Sequence, residues 1–412
     1  MRAEKSKKAF FYCVLVLVTL IFIPILSELV LAAVHYPIVP LIRVSNPPNY
    51  NIQRNNIEFN FKFSVNKMGI RYPDIPLAKT ANEKRILLLG DSYTEGMGVE
   101  YEQTFGALLE RKFSKNGEVV RFINGGLTGA GPLEYAKLFY FVGAKYNPDV
   151  VLIILYANDV TDTHPIQSEI FKNRKLWLEG NHREFVIKGF LHSLFPRFYT
   201  LIKAVKERES RKQHIDLIKV TRKYARKKGI PEEKINAWIS KVPKDILEAA
   251  NRGAFSAGIL TSGLIHPNVW RNNIDLEGEE AAQKWTTMIN ILNSLIDLLN
   301  ERNIKVGIVF APNAMQYGKN YGDFQESLGT VVKKEWANHE TNIERELQKW
   351  SKEQKVSFLN LTPYFRKLSD DEKKKVHYRL DGHWTPSGQQ FVANILSDWL
   401  KISRLVESEK MQ

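Results

Sequence analysis

The 412-residue chain has a single cysteine, Cys13. That excludes a disulfide framework and a cysteine-built zinc site. Eight of the nine histidines (His35, His164, His182, His192, His214, His266, His339 and His377) show no ligand spacing, so no metal centre is expected. Internal repeats and low-complexity tracts are also missing, which excludes a solenoid and a wholly disordered chain. Acidic residues are in deficit, 45 against 59 Lys and Arg, giving a net charge of +14. Apolar residues are plentiful at 44%, enough for a packed core in one large domain with an insertion or in two ordinary domains.

The basic excess is local. Residues 171–250 hold 20 Lys/Arg against 9 Asp/Glu, so 11 of the 14 net charges fall in that stretch. Apolar residues from Val186 to Val205 recur there at helical spacing, with Lys188, Arg197, Lys203 and Lys206 among them. Two readings stay open. One is a helical subdomain with solvated basic faces; the other is a surface that rests on an anionic membrane or guides an acidic polymer. Nucleic acid is not an expected partner, because the N-terminus directs the rest of the chain out of the cytoplasm.

That N-terminus carries Arg2, Lys5, Lys7 and Lys8 before an apolar run from Ala9 to Val34 whose only charge is Glu28. At about 1.5 Å per residue the run spans about 30 Å of hydrocarbon. It exceeds the apolar core of a cleavable signal peptide, although Val30-Leu31-Ala32 is a candidate cleavage site. Residues 1–34 are therefore expected to be a retained signal anchor, N-terminus inside and the remainder extracytoplasmic.

Residues 35–84 read as a tether and leading segment, punctuated by Pro37, Pro40, Pro47 and Pro48, with a short alternating strand from Phe59 to Phe63. From residue 85 onward, five apolar runs alternate with amphipathic stretches: Ile86–Leu89, Val119–Ile123, Val150–Leu155, Val306–Phe310 and Val356–Leu359 read as strands. The expected fold is α/β, a three-layer α/β/α sandwich with a five-stranded parallel sheet of flavodoxin-like type, interrupted by a basic helical insertion at about 165–275. Functional groups in such sheets gather at the carboxyl ends of the strands.

Chemistry-bearing residues follow the strands. The first strand runs into Gly90-Asp91-Ser92, which exposes a serine on a tight turn. A serine needs a base for its proton and donors for the oxyanion. The second strand leads into Asn124-Gly125-Gly126-Leu127-Thr128-Gly129, and the third into Tyr156-Ala157-Asn158-Asp159. Beyond the fifth lies Asp381-Gly382-His383-Trp384-Thr385-Pro386, where an imidazole has a carboxylate two residues away and a final helix begins near Pro386. Asp159 and Asp162 are alternative partners for the imidazole. Phe310-Ala311-Pro312-Asn313, after the fourth strand, either closes that strand or lines a pocket.

These four blocks, together with Val65-Asn66-Lys67-Met68-Gly69-Ile70-Arg71, resemble those of the SGNH (GDSL) hydrolase superfamily over about residues 60–160 and 280–400. The resemblance implies Ser92 as nucleophile, His383 as general base oriented by Asp381, and an oxyanion hole from Ser92, Gly129 and Asn158. It implies no cofactor. Two departures stand out: Tyr156 where many members have glycine, and one residue rather than two between Asp381 and His383. The Asp-x-His-Trp-Thr-Pro version is similar to that of extracytoplasmic polysaccharide O-acetyltransferases. The expected function is a membrane-anchored serine esterase acting on a small acyl group of an envelope glycan or lipid. An O-acetyltransferase acting on a polysaccharide and a non-catalytic glycan-binding module are the alternatives.

Overall fold

The computed structural model describes residues 2–34, 45–114, 119–163, 194–202, 205 and 215–406. The chain falls into two compact units, one made of Met1–Arg43 with Glu179–Gln213, the other of Val44–Leu178 with His214–Gln412.

In the first unit, Arg2–Ala33 is one helix with Pro24 inside it. Glu28, the sole acid of the apolar run, accepts the backbone N–H groups of Arg197 and Phe198, both at 2.9 Å, and the Arg197 guanidinium at 3.2 Å. It thereby caps the helical turn that begins at Pro196. Among the described residues no helix is long and apolar enough to cross a membrane. The expected transmembrane span is thus not shown, and the side chains of Cys13 and Val14 in the apolar run lie outside the described ones. The histidines at 164, 182, 192 and 214 and the first part of the basic insertion also lie outside the described residues.

The second unit begins with an antiparallel hairpin, β1 (Asn51–Asn55) and β2 (Asn60–Ser64). Alternation buries Phe61 and Phe63 on one face, as the pattern of Phe59–Phe63 requires. The hairpin makes the leading segment part of the folded unit. Five parallel strands follow: β3 (Glu83–Gly90), β4 (Val119–Gly126), β5 (Val150–Tyr156), β6 (Lys305–Ala311) and β7 (Ser357–Asn360). Each of the five expected strands is present, and their order is β4-β3-β5-β6-β7. β3 and β5 are buried on both faces, which explains their unbroken apolar runs. The crossovers between the strands carry helices that pack in pairs, Phe105–Phe113 with Pro386–Ile402 and Pro132–Phe141 with Glu279–Asn300.

Between β5 and β6 the described residues form five short helices from Leu217 to Ile274. The first four share a small core built from Leu217, Trp238, Ile246 and Leu260, closed by Phe324 and Leu328. The strand order reverses at β3, which has β4 on one side and β5 on the other. The crevice at the carboxyl ends of β3 and β5 is therefore the topological switch point where open α/β sheets bind ligands.

Candidate active site

Ser92 opens a one-turn helix, Ser92–Glu95, directly after β3. The Asp91 side chain caps it by accepting the Tyr93 N–H at 2.9 Å, and Gly96 ends it in the left-handed region. This tight strand-to-helix turn leaves Ser92 half-buried at the rim of the crevice. Gly126, at the end of β4, lies so close that an added Cβ would sit 2.0 Å from the Glu95 nitrogen. Only glycine permits that approach.

The late block returns to the same point. His377 and Trp384 form an antiparallel bridge, and between them Gly382 adopts a φ of +87°. Its turn aims both Asp381 and His383 inward. Thr385 then accepts the Gly388 N–H at 3.2 Å and starts the final helix at Pro386, as the sequence led one to expect. His383 Nε2 lies 2.7 Å from Ser92 Oγ, and His383 Nδ1 bonds Asp381 Oδ1. A carboxylate only accepts, so Nδ1 carries the proton and Nε2 presents its lone pair to the serine hydroxyl. Burial works against a charged imidazole here, but Asp381 outweighs it, with help from Asp91 and Glu95. The net effect raises the His383 pKa above the ordinary histidine value.

The alternative carboxylates do not reach His383 for this role. Asp159 is buried and accepts from the Tyr135 hydroxyl at 2.7 Å and the Tyr156 N–H at 2.9 Å. Asp162 accepts from the Asn158 amide at 2.8 Å. Burial, with Asp91 and Glu134 nearby, pushes Asp162 up to about 7. Asn158 thus spends one amide hydrogen on Asp162 and keeps the second. The backbone N–H groups of Ser92 and Gly129 make no hydrogen bond among the described residues, and both residues reach solvent. Among the described residues, the three expected oxyanion donors each retain an N–H without a partner.

Several residues support the site through contacts that the sequence did not reveal. Glu95, fully buried, bonds the Thr128 hydroxyl and accepts from the Asn46 amide at 3.0 Å, tying the serine helix to the loop that carries Gly129. Arg71, from the quoted Val65–Arg71 block, donates to the carbonyls of Glu95, Gly96 and Val99 at 2.9, 2.6 and 2.6 Å. Tyr156, the departure from glycine, stacks on Tyr93 with ring centroids 4.0 Å apart. Its hydroxyl accepts from the Asn313 amide at 2.6 Å and lies 3.0 Å from the Tyr93 hydroxyl, so Asn313, in the loop that follows β6, braces the site. Tyr93 in turn packs on the His383 ring at 4.7 Å.

The arrangement can activate an alcohol, stabilise an oxyanion and return a proton to a leaving group. Two family models match the chain: residues 86–254 match the GDSL-like lipase/acylhydrolase family, and residues 270–412 match the SGNH hydrolase-like domain of the acetyltransferase AlgX. No curated protein matches. Similar solved structures include a lipase/acylhydrolase from Enterococcus faecalis at 11% identity, covering 79% of this chain and 99% of that one with a TM-score of 0.39. Others are the acetyl xylan esterase AlAXEase at 13% identity (77% and 99% covered, TM-score 0.35) and the esterase EstA from Pseudoalteromonas sp. at 12% (78% and 98%, TM-score 0.35). Ser92 and Asn158 lie in the residues that match the first family model, and Asp381 and His383 in those that match the second, which is consistent with an ester-acting enzyme of SGNH/GDSL type.

Proposed function

We propose that this protein is a serine esterase that removes a small acyl group, acting through an acyl-Ser92 intermediate. The observation that carries this reading is the 2.7 Å approach of His383 Nε2 to Ser92 Oγ. In the first half-reaction His383 takes the Ser92 proton as Oγ bonds the ester carbonyl carbon. The N–H groups of Ser92 and Gly129 and the free amide hydrogen of Asn158 receive the oxyanion. His383 passes its proton to the departing alcohol as the ester C–O bond breaks. Water, deprotonated by His383, then attacks the acyl carbon and releases the acid and free Ser92.

A second reading is favoured by the match of residues 270–412, which include Asp381 and His383, to the domain of an acetyltransferase. A sugar hydroxyl then replaces water, and the product is an O-acetylated polysaccharide. The substrate in either case is an acylated glycan or lipid of the cell envelope. We place the catalytic unit outside the cytoplasm on a single anchor formed by residues 9–34. The support is a basic flank at Arg2–Lys8 and large apolar side chains exposed on the anchor helix, Phe11, Leu15, Phe22, Leu26 and Leu29 among them. The basic stretch 171–250 adds attraction to anionic headgroups or acidic polymer, at about 1 kcal/mol per basic residue near a charged surface.

The test is turnover of p-nitrophenyl acetate by the full chain in detergent, with and without an oligosaccharide acceptor, beside Ser92→Ala and His383→Ala. Nitrophenolate release that disappears in both variants supports the reading, and an acceptor that gains acetyl groups selects the transferase. Equal release by wild type and Ser92→Ala contradicts both. Alkaline extraction of membranes tests the anchor: the protein stays with the lipid, whereas its appearance in the supernatant overturns the placement.

A further inference from the structure

Asp381 is held by more than its bond to His383. The turn Tyr378–His383 closes on itself through two backbone bonds, Tyr378 N–H to the His383 carbonyl at 2.8 Å and Gly382 N–H to the Tyr378 carbonyl at 3.0 Å. Of the N–H groups left in the turn, those of Leu380 and Asp381 both point to one carboxylate more than three hundred residues away in sequence. Glu58 accepts Leu380 N–H at 3.0 Å and Asp381 N–H at 2.7 Å.

Glu58 lies in the loop between β1 and β2, beside Asn56. The Asn56 side-chain oxygen accepts the Glu58 N–H at 3.1 Å, which turns its amide nitrogen outward to Asp381 Oδ2 at 3.4 Å. The oxygen left over on Asp381, Oδ1, is the one that faces His383 Nδ1. The loop itself has little freedom. Asn56 N–H bonds the Phe59 carbonyl at 2.8 Å, Ile57 N–H bonds the Ala254 carbonyl at 3.0 Å, and the Phe59 ring packs on Tyr378 at 4.9 Å. Tyr378 donates its hydroxyl to the Gly98 carbonyl at 2.8 Å, which closes the circuit beside the nucleophile helix.

We infer that Glu58 and Asn56 are positioning residues for the catalytic base: Glu58 fixes the backbone of Asp381, Asn56 fixes the rotation of its carboxylate, and His383 is thereby aimed at Ser92. This rests on the reading of Ser92 and His383 given under Proposed function. Burial raises the Glu58 pKa and the nearby Asp381 adds to that, while the N–H groups of Leu380 and Asp381 favour its ionised form and work the other way. The hairpin then acts as part of the catalytic apparatus. Charge-assisted bonds to a partly buried acceptor are stronger than neutral ones, so losing this one releases the turn.

The experiment compares the full-length protein with Glu58→Gln, Glu58→Ala, Glu58→Asp and Asn56→Ala. It reads kcat and KM for p-nitrophenyl acetate, the pH profile of kcat/KM, and the low-field imidazole N–H resonance that His383→Ala identifies. Glu58→Ala is expected to lower kcat at least tenfold with KM within about twofold, to move the acidic limb down in pH and to shift the N–H resonance upfield. Glu58→Gln keeps one acceptor oxygen and falls between it and wild type, Asn56→Ala gives a smaller loss of the same kind, and Glu58→Asp recovers part of the loss. A wild-type kcat, limb and resonance in folded Glu58→Ala or Glu58→Gln overturns the inference. So does a rate loss with an unmoved resonance. Ser92→Ala run in parallel separates the two claims: full turnover there sinks the catalytic reading itself, while the resonance still reports whether Glu58 holds the Asp381–His383 pair.

Discussion

The hydroxyl of Tyr93 donates to the carbonyl of Gly382 at 2.8 Å, so the residue after the serine holds the residue before the histidine. Burial pushes the Tyr93 phenol well above its ordinary pKa, which keeps it a donor at any working pH. Tyr93→Phe retains the ring that stacks on Tyr156 and His383 but loses this bond. Steady-state kinetics are expected to show a fall in kcat of about fivefold, the equivalent of a net hydrogen bond of about 1 kcal/mol, with little change in KM.

The pH dependence follows from the sign of the His383 shift. Burial alone favours neutral imidazole, yet Asp381 prevails and the pKa is raised. General-base action needs the neutral form, so the acidic limb of kcat/KM should lie above the ordinary histidine value of about 6.5. In Asp381→Asn the limb moves down in pH, because the raising charge is gone. The rate at the plateau falls by about 10³–10⁴-fold, since Nδ1 loses the acceptor that fixes its tautomer. For stability the sign is opposite to that of a paired carboxylate: the His383–Asp381 pair stabilises the fold below the unfolded pKa, and the contribution fades as pH rises through the folded pKa.

Asp91 is buried, and burial pushes it up to about 6 despite its bond from the Tyr93 N–H. One of its oxygens, Oδ2, has no hydrogen-bond partner among the described residues. A carboxyl group whose folded pKa exceeds the unfolded one costs stability once ionised, and the cost grows between about pH 4 and 6. Asp91→Asn keeps an oxygen for the Tyr93 N–H. Thermal melts at pH 8 should show a gain on the order of 3 kcal/mol that disappears near pH 3.5. The same substitution removes a charge that raises His383, so the acidic limb of activity moves down.

Tyr156 fills the volume that a glycine would leave empty beside Tyr93 and Trp270. Tyr156→Gly is expected to cost about 3–5 kcal/mol from the cavity and the lost stacking. Tyr156→Phe removes only the bonds to Tyr93 and Asn313 and costs about 1 kcal/mol. Urea unfolding followed by tryptophan fluorescence separates the two.

Much of this was legible in the residue order. The five strands follow from short apolar runs, because a strand buried on both faces needs an unbroken one. Ser92, Asn158 and His383 announced themselves because each sits just past an element end in a short polar block. What was not legible depends on contacts across the chain. Glu58 reads as one polar residue in a surface loop, and nothing near it hints that Leu380 and Asp381 will supply its donors. Glu95 looks like an ordinary acid after the serine until the fold buries it against Thr128 and Asn46. Tyr156 could be marked as a departure, but its purpose appears only once Tyr93 and Asn313 are seen around its hydroxyl. The leading segment looked like a tether because its prolines dominate the pattern, whereas Phe61 and Phe63 bind it to the catalytic unit.

The central claim is that Ser92 becomes acylated. The most direct measurement is mass spectrometry of the full-length protein, acid-quenched within the first turnovers of p-nitrophenyl acetate and digested. Wild type should carry one added acetyl group on the peptide containing Ser92, and His383→Ala should show it only after much longer exposure. Turnover without any acetylated Ser92 peptide, or the same acetylation in Ser92→Ala, would contradict the account.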